Sequence, residues 1–343
     1  MRVSVIVPVR NESASIRDTL AGLARQEFPA DEYEILVIDG RSDDETAAIV
    51  RDLERDIPNL LLLDNPNRLA SAGRNVGVQH ARGDYVVIVD GHCQVRDPHL
   101  LARVVEAFES SGADCLGRPQ PLQADRPTAF QRSVAAARSS WLGHNPDSHI
   151  YSDRVRFVAA DNVAVAYRRG VFDRVGLFDE SFDACEDVEF NTRVRRAGLT
   201  CYFTPAIAVA YQPRRTLSGL VYQMMRYGLG RARLARKHPT TITGPSLVPP
   251  LWLVWFATGS IASLFLPSFA LVFAATVAAY LAVILAESAR VWWLRPDVSV
   301  WRLPFVFAAI HAGFGWGYLR DTMAGLSVPP IRLGRWIATV LRK

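Results

Sequence analysis

The chain of 343 residues has few cysteines, and their spacing is not that of a metal site. Cys93, Cys115, Cys185 and Cys201 form no CxxC pair and no Cys/His zinc pattern. The N-terminal apolar run is too short for a signal peptide and continues into soluble-looking sequence. We therefore expect free thiols in a reducing cytosol, with the first two hundred residues on the cytosolic side.

Charge is absent from residues 239 to 286, which contain no Asp, Glu, Lys or Arg. Such a stretch is longer than a soluble core helix needs, and it accommodates two membrane crossings of roughly 20 residues each. We predict spans at about 247–266 and 268–286. A third candidate, 303–319, is either a span or a re-entrant element, so residues 246–343 are predicted to be a membrane region.

The net charge of +5 comes with an excess of arginine beside these apolar segments, at 226–238 and 332–343. Anionic lipid head groups explain that placement better than DNA, because no nucleic-acid-binding motif is present. The segment 214–245 interleaves apolar and basic residues, which indicates an amphipathic helix lying flat on the bilayer. Membrane is the expected partner and nucleic acid is not.

The first part of the chain alternates strand-like and helix-like segments. VSVIVPV, YEILVIDG, NLLLLDN and DYVVIVDG are short apolar runs, and amphipathic patterns separate them. This order predicts an α/β domain over residues 1–213, with a mostly parallel sheet covered by helices on both faces. Ligands bind such sheets where the carboxyl ends of the strands open into loops.

Polar side chains follow three of these predicted strands. Asn11 and Glu12 come after the first strand, Asp39 ends the second, and Asp90 and His92 follow the fourth strand-like segment. A helix cap or a surface turn explains any one of them. Because the carboxyl ends of parallel strands share one edge, the three acidic groups together predict a single cleft.

A further acidic signal is the segment EDVEFNTRVRRAG, a predicted helix closed by Gly198. Asp187, Phe190 and Val194 fall at helical spacing, so Asp187 is predicted on the inward face while Glu186 points elsewhere. A carboxylate at a helix N-terminus is stabilised in its ionised form, as a proton acceptor requires. The alternative is a purely structural role, in which these acidic residues only satisfy the free N–H groups at the start of the helix.

The chain resembles the inverting glycosyltransferases of family 2, which have the Rossmann-like GT-A fold. VSVIVPVRNE, VIDGRSDDET, GRNVGVQHARGDYVVIVDGH and FDESFDACEDVEFNTRVRRAG carry the resemblance, in that order, across residues 3 to 213. Within the family it is most similar to the membrane-associated ExoA-type glucosyltransferases of succinoglycan and exopolysaccharide assembly. The hydrophobic C-terminal segments agree with that subgroup.

The resemblance implies the following roles. Asp187, with Glu186 in the family's ED motif, would be the general base. Asp90, Gly91 and His92 stand where the family has D-x-D, so Asp90 and His92 would hold Mg²⁺ or Mn²⁺, and imidazole makes Mn²⁺ plausible. The residues implied in binding the nucleotide-sugar donor are Pro8, Asn11, Glu12, Asp39, Arg74, Asn75, Asp90 and Gly91.

The segment QMMRY resembles the Q-x-x-R-W motif of processive family members. Gln223, Arg226 and Tyr227 would then hold the diphosphate and the acceptor end, through Arg–phosphate pairing and stacking on a sugar. The alternative is an amphipathic helix that happens to contain these residues. The polar loop 143–154 is the predicted lid, and His144 and His149 in it are expected to be solvated.

These observations predict an inverting transferase that moves a hexose, most simply glucose, from a UDP-sugar to a polyprenyl-diphosphate-linked acceptor. The expected location is the bacterial inner membrane, with the catalytic domain in the cytoplasm and other glycan-assembly enzymes as further partners. A processive polysaccharide synthase and a polyprenyl-phosphate glycosyltransferase are the alternatives of the same class. A sugar-nucleotide-binding scaffold without catalysis is the alternative of another class.

Overall fold

The computed structural model describes residues 1–144, 149–161 and 163–326, and the chain forms two compact units. Unit 1 comprises Met1–Arg215 together with Arg295–Ser299. Unit 2 comprises Thr216–Leu294 and the residues from Val300 onward. The C-terminal basic segment predicted at 332–343 and part of the predicted lid at 143–154 lie outside the described residues.

Unit 1 alternates strands and helices through its first half, as the sequence predicts. Its elements in chain order are β1 (Val3–Val9), α1 (Ile16–Ala24), β2 (Tyr33–Asp39), α2 (Thr46–Glu54), β3 (Leu60–Asp64), α3 (Ala70–His80), β4 (Tyr85–Ile88), β5 (Cys93–Gln94), α4 (Leu100–Ser111), β6 (Cys115–Gly117), α5 (Ala129–Arg138), β7 (Arg156–Val158), β8 (Ala164–Arg168), α6 (Gly170–Val175), α7 (Glu186–Arg196), β9 (Cys201–Phe203) and β10 (Ala210–Tyr211).

The main sheet is mixed, with the strand order β3-β2-β1-β4-β8-β6-β9-β7. Pairing is parallel from β3 to β4 and between β6 and β9. It is antiparallel where β8 lies between β4 and β6, and where β7 joins the edge. The prediction of a mostly parallel sheet with helices is confirmed, and the antiparallel strands come from the part of the sequence where the strand–helix alternation loosens.

Both faces of the sheet are buried because adjacent residues of the central strands enter different cores. Val5 and Val7 of β1 pack in the same cluster as Leu20 of α1. Ile6 lies in the other cluster, which also contains Phe190 of α7. Side chains alternate across a strand, so a continuous apolar run such as VSVIVPV fills two layers at once. This sandwich fixes the carboxyl ends of β1, β2 and β4 at one edge.

Unit 2 is helical. It contains α8 (Leu217–Lys237), α9 (Gly244–Phe265), α10 (Pro267–Leu294) and α11 (Leu303–Leu326). Among the described residues, α9 and α10 are the two helices long and apolar enough to cross a membrane. They overlap the predicted spans at 247–266 and 268–286, and the candidate third segment, 303–319, lies within the continuous helix α11.

Helices α8 and α11 approach each other closely through glycine. A Cβ atom at Gly228 would lie 1.9 Å from the backbone oxygen of Phe314, and one at Gly317 would lie 1.9 Å from that of Met225. No side chain fits at those distances, so only glycine permits this contact. Asp321 of α11 also pairs with Arg233 and Arg236 of α8.

Candidate active site

Two loops that leave β1 and β2 are tied together by hydrogen bonds. The Asn11 side chain accepts from the Asp43 backbone at 2.8 Å, and the Glu12 backbone donates to Thr46 Oγ1 at 2.8 Å. Asn11 has φ +57°, in the left-handed region that asparagine tolerates better than most residues. Because these bonds connect the two strand ends, Glu12 and Asp39 are held at the same edge of the sheet.

Asp39 is buried at the end of β2, where its carboxylate accepts from the side-chain hydroxyl of Ser42 at 2.5 Å. Pro8 occupies the neighbouring strand β1 and is partly buried. An ideal Cβ built on Gly73 of α3 would lie 3.4 Å from Pro8 Cβ, so this helix packs directly over the strand. Pro8, Asp39 and the start of α3 therefore lie together, as the predicted donor site requires.

The segment Asp90-Gly91-His92 follows β4, and each side chain has a defined partner. Tyr211 Oη donates to Asp90 Oδ2 at 2.7 Å, and Nδ1 of His92 lies 2.9 Å from Glu12 Oε1. A Cβ atom at Gly91 would lie 2.6 Å from Val9 Cγ1. Glycine is required here because β1 packs against it.

Charge determines the ionisation of this segment. Burial alone would raise the pKa of the Asp90 carboxyl, but the charges of Arg74 and His92 and the bond from Tyr211 bring it below its usual value. Burial would lower the pKa of His92, but its bond to Glu12 and the charge of Asp90 raise it. The charge of Arg74 is the largest of the effects that favour the ionised form of Asp90.

Arg74 connects the segment after β4 to the start of α7. Its Nη2 lies 3.4 Å from Asp90 Oδ1, and its Nη1 lies 3.1 Å from Glu186 Oε1. The guanidinium is almost fully buried and also lies 5.5 Å from the ring centre of Phe178. Burial would lower the pKa of Arg74, but Glu186 and Asp90 raise it, so Arg74 is a permanent cation between two carboxylates.

The prediction that Glu186 points away from the core is wrong. Glu186 is buried and faces Arg74, whereas Asp187 is half-buried. Helix α7 begins at Glu186, and Glu186 precedes Phe190 by four residues and Val194 by eight, so helical spacing places it on the same buried face. Burial raises the pKa of Glu186, Arg74 opposes that rise, and the charge of Asp187 adds to it.

Asp187 lies beside this buried pair. Its Oδ1 accepts from the backbone of Val188 at 2.8 Å, as expected of a carboxylate at a helix start. Its charge also raises the pKa of the buried Tyr167 hydroxyl, after the larger effect of burial. Phe190 and Val194 are fully buried on the same helix, as predicted. Arg74 therefore joins the start of α7, with Asp187 on it, to Asp90.

Asn75 is buried and its side chain is engaged within the protein. Its Oδ1 accepts from the Phe178 backbone at 2.8 Å, and its Nδ2 donates to the Phe178 carbonyl at 2.9 Å and to Glu180 at 2.9 Å. The predicted nucleotide contact would compete with these three bonds. Asn75 instead holds the segment that leads to α7.

Gln223, Arg226 and Tyr227 lie on α8 of unit 2. Gln223 Nε2 donates to the Tyr227 hydroxyl at 3.3 Å, and Arg226 and Tyr227 are exposed.

In the predicted lid, His144 contacts the Ser140 carbonyl at 2.8 Å and His149 lies 2.9 Å from Arg156. Residues 145–148 of the predicted lid lie outside the described residues.

Two residues near Asp90 were not anticipated from the sequence. Tyr211, which bonds Asp90, is 121 residues away along the chain. Arg118 is 1 % exposed, donates to the Ile88 carbonyl at 3.2 Å, and its charge lowers the pKa of Asp90. Neither has a local sequence signal, because a tyrosine or an arginine beside a strand is ordinary until the strands are paired.

The residues after β4 fit a divalent ion held jointly with a ligand's phosphates. No group of three His, Cys, Asp or Glu side chains suited to a metal occurs in the described part of the chain. Mg²⁺, however, is commonly bound by one or two carboxylates plus substrate phosphates. The Glu12 contact at Nδ1 of His92 leaves Nε2 for ligation, the arrangement in which a carboxylate orients a ligating imidazole.

Comparison with known proteins agrees with this architecture. The profile of Glycosyl transferase family 2 matches residues 4–176. The succinoglycan biosynthesis protein ExoA of Rhizobium meliloti (strain 1021) is 32 % identical over 236 residues, which are 68 % of this chain and 70 % of that protein. A Methanococcus voltae protein, named as a glucuronosyltransferase acting on a dolichyl N-acetylglucosaminyl phosphate, is 22 % identical and covers 95 % of this chain and 98 % of its own.

Among solved structures, the mannosyltransferase PcManGT of Pyrobaculum calidifontis, in complex with GDP-Man and Mn²⁺, superposes with a TM-score of 0.59. The match covers 94 % of this chain and 87 % of that one at 21 % identity. The mixed sheet with its acidic edge is thus a GT-A fold, the glycosyltransferase class that the sequence suggested. The chain belongs to glycosyltransferase family 2.

Proposed function

We propose that this enzyme transfers a hexosyl group, glucosyl as the first candidate, from a UDP-sugar to a polyprenyl-diphosphate-linked acceptor, with inversion at the anomeric carbon. The observation that carries the proposal is Arg74, which joins Asp90 to the start of α7, where Asp187 lies. This connection supports donor binding and proton removal at one site. The relatives named for succinoglycan synthesis and for a dolichyl-linked substrate support polysaccharide or lipid-linked glycan assembly.

In the proposed reaction, Asp187 accepts the proton of the acceptor hydroxyl as that oxygen bonds to the anomeric carbon. The bond from the anomeric carbon to the donor phosphate breaks on the opposite face, and UDP leaves. A half-buried carboxylate suits this task because the acceptor hydroxyl can reach it. No covalent intermediate on the protein is needed, since one displacement gives inversion.

The donor would occupy the edge formed by β1, β2 and β4. Asp39 and Glu12 would accept from the uracil and the ribose, and Asn11, Pro8 and Gly91 would shape that pocket. Asp90 and His92 would hold a Mg²⁺ or Mn²⁺ ion, which when bound neutralises charge on the diphosphate. The structure of PcManGT with GDP-Man and Mn²⁺ supports a nucleotide-sugar donor and a divalent ion.

The acceptor would reach the enzyme from the membrane. Helices α9 and α10 expose large apolar side chains along most of their length, which suits burial in lipid. Gln223, Arg226 and Tyr227 on α8 would contact the acceptor diphosphate and its terminal sugar. We propose the bacterial inner membrane, with unit 1 in the cytoplasm, 1–213 as the transferase domain, 214–245 as the interface segment and 246–343 as the membrane region.

A donor screen tests the proposal. Purified protein is given UDP- and GDP-sugars with Mg²⁺ or Mn²⁺ and a polyprenyl-diphosphate-linked sugar, and radiolabelled product is partitioned into butanol. The proposal expects one UDP-hexose to give a butanol-soluble product. Label retained as polymer identifies a processive synthase, and product formed on polyprenyl phosphate identifies a polyprenyl-phosphate glycosyltransferase. Activity with GDP-sugars alone contradicts the donor assignment.

A further inference from the structure

The segment between α6 and α7 is held by side chains from two helices. From α3, Asn75 forms three hydrogen bonds with Phe178 and Glu180, and Ser71 Oγ donates to the Phe182 carbonyl at 2.9 Å. From α7, Arg193 donates to the carbonyls of Val175 and Leu177, each at 2.7 Å. These side chains therefore hold the segment at both of its ends.

Asn75 contacts the segment in a specific way. Its amide pairs with both the N–H and the carbonyl of Phe178, as a neighbouring strand would, and both residues are buried. An asparagine side chain presents one acceptor and two donors, and all three bonds here use that capacity. Asparagine is therefore the side chain that fits this position, and aspartate, which has acceptors only, does not.

Phe178 in turn contacts both parts of the candidate active site. Its ring stacks on Phe190 of α7 with centroids 4.4 Å apart and an angle of 26° between the planes. The Arg74 guanidinium lies 5.5 Å from the centre of the same ring. Any displacement of Phe178 therefore moves the helix that carries Asp187 and the cation that joins Asp90 to Glu186.

We propose that Asn75 is a positioning residue for glycosyl transfer: it fixes Phe178, and through that ring it sets the place of Arg74 and of Asp187. The inference rests on the proposed function for the role of Asp187. In this inference Asn75 acts by positioning other residues of the protein, whereas the sequence predicted that it contacts the nucleotide. Misplacing a reacting group by about 1 Å costs on the order of 100-fold in rate, so a residue remote from the reacting atoms has a large effect.

The decisive variant is Asn75→Asp, which has nearly the same shape but turns two donors into acceptors facing the Phe178 carbonyl and Glu180. We expect kcat for transfer to fall about 100-fold while the Kd for UDP, measured by calorimetry, stays within about twofold. Adding Glu180→Gln supplies an amide donor to the new carboxylate, so the double variant should recover at least about tenfold of the lost kcat.

The matched control is Asn67→Asp. Asn67 is exposed, donates to the other oxygen of Glu180 at 2.9 Å and has no bond to Phe178, so kcat should change less than about twofold. Asn75→Ser, which adds no charge, is the second variant in case Asn75→Asp does not fold. It should show the same separation between kcat and UDP affinity.

Three results would overturn the inference: an unchanged kcat in Asn75→Asp, a UDP Kd that rises in proportion to the loss of kcat, or no recovery on adding Glu180→Gln. Hydrogen exchange of the peptides covering residues 176–190 gives a readout that needs no substrate. It should accelerate in Asn75→Asp and return towards wild type in the double variant. If the wild type transfers no sugar, the proposed function fails, while the exchange result still tests the contact.

Discussion

Arg74 is the residue that balances the charge of the candidate site. A buried arginine between Asp90 and Glu186 compensates two carboxylates that would be costly to desolvate alone. The resemblance assigned this residue to the nucleotide, but in the structure it contacts the protein's own acidic groups. The separation between the segment after β4 and the start of α7 is thereby fixed before any substrate binds.

Replacing the proposed base tests the chemistry directly. Asp187→Asn keeps the shape of the side chain but removes the proton acceptor, so turnover should fall about 10²- to 10⁴-fold. The Kd for UDP should remain within about twofold, because the proposed donor contacts lie on other elements. Initial rates and calorimetry measure the two quantities.

The control is Asp173→Asn, which alters an exposed carboxylate on α6 of the same unit and should leave turnover unchanged. Near-normal turnover in Asp187→Asn would show that another group removes the proton.

Sequence reasoning identified the polar residues at strand ends because those positions follow from local order alone. Asp39 and Asp90 end apolar runs, and a parallel arrangement brings such ends together. Glu186 was misplaced because the prediction used the spacing of Asp187 to Phe190 and overlooked that Glu186 and Phe190 are also neighbours on the helix, four residues apart. The position of Tyr211 depends on the pairing of β10 with β5, and the role of Arg74 depends on the contact of α3 with the start of α7. Neither contact has a local sequence signal.

The loops that follow β1 and β2 are joined by hydrogen bonds to Asp44. Asp44 accepts from the backbone and hydroxyl of Thr46, at 3.0 and 2.5 Å, and from the Ser13 backbone at 3.2 Å. Burial raises the pKa of Asp44, but these hydrogen bonds lower it further, to about 2. The bonds connect the loop that carries Glu12 to the start of α2.

This contact predicts a pH-dependent stability difference. A lowered pKa contributes stability above the unfolded value of 3.8, and that contribution is lost as pH falls through about 2. Asp44→Asn should therefore lower the melting temperature at pH 7 by about 2–4 °C, and the gap should narrow from pH 4 downward. Thermal unfolding of both proteins between pH 3 and 7 measures it.

Asp43→Asn, on the exposed neighbouring residue, is the matched control and should show no such gap. A difference between wild type and Asp44→Asn that stays constant down to pH 3 would mean that ionisation of Asp44 does not contribute.

The contact between α8 and α11 can also be tested. Gly228→Val places atoms where the Phe314 backbone oxygen already lies, so the two helices must separate. Overpacking costs typically about 1–3 kcal/mol, and we expect a lower melting temperature for the detergent-solubilised protein.

Gly244→Ala is the control in the same unit, because a Cβ atom there meets nothing within 4 Å. Equal melting temperatures for Gly228→Val and wild type would show that α8 and α11 are not packed in this way.

The proposed attachment to a membrane can be tested on the whole protein. If α9 and α10 cross the bilayer, the protein should resist extraction by carbonate at high pH and by high salt. Leu281→Lys puts a charge near the middle of α10, where insertion costs about 2.5–3.5 kcal/mol, and should increase the extracted fraction. Quantitative blotting of membrane and soluble fractions measures it.

Leu61→Lys alters a comparably exposed leucine of unit 1 and should extract like wild type. Release of the wild-type protein by salt alone would identify a peripheral protein bound through the basic helix α8.

Arg295–Ser299 lies between α10 and α11 in sequence yet belongs to unit 1, where the Arg132 side chain donates to the Asp297 carbonyl at 3.3 Å. If α9 and α10 cross a bilayer, a chain that leaves unit 1 after Arg215 and re-enters it at Arg295 must cross that bilayer an even number of times in between. The pair α9 and α10 would then be a helical hairpin whose two ends both lie in the compartment of unit 1.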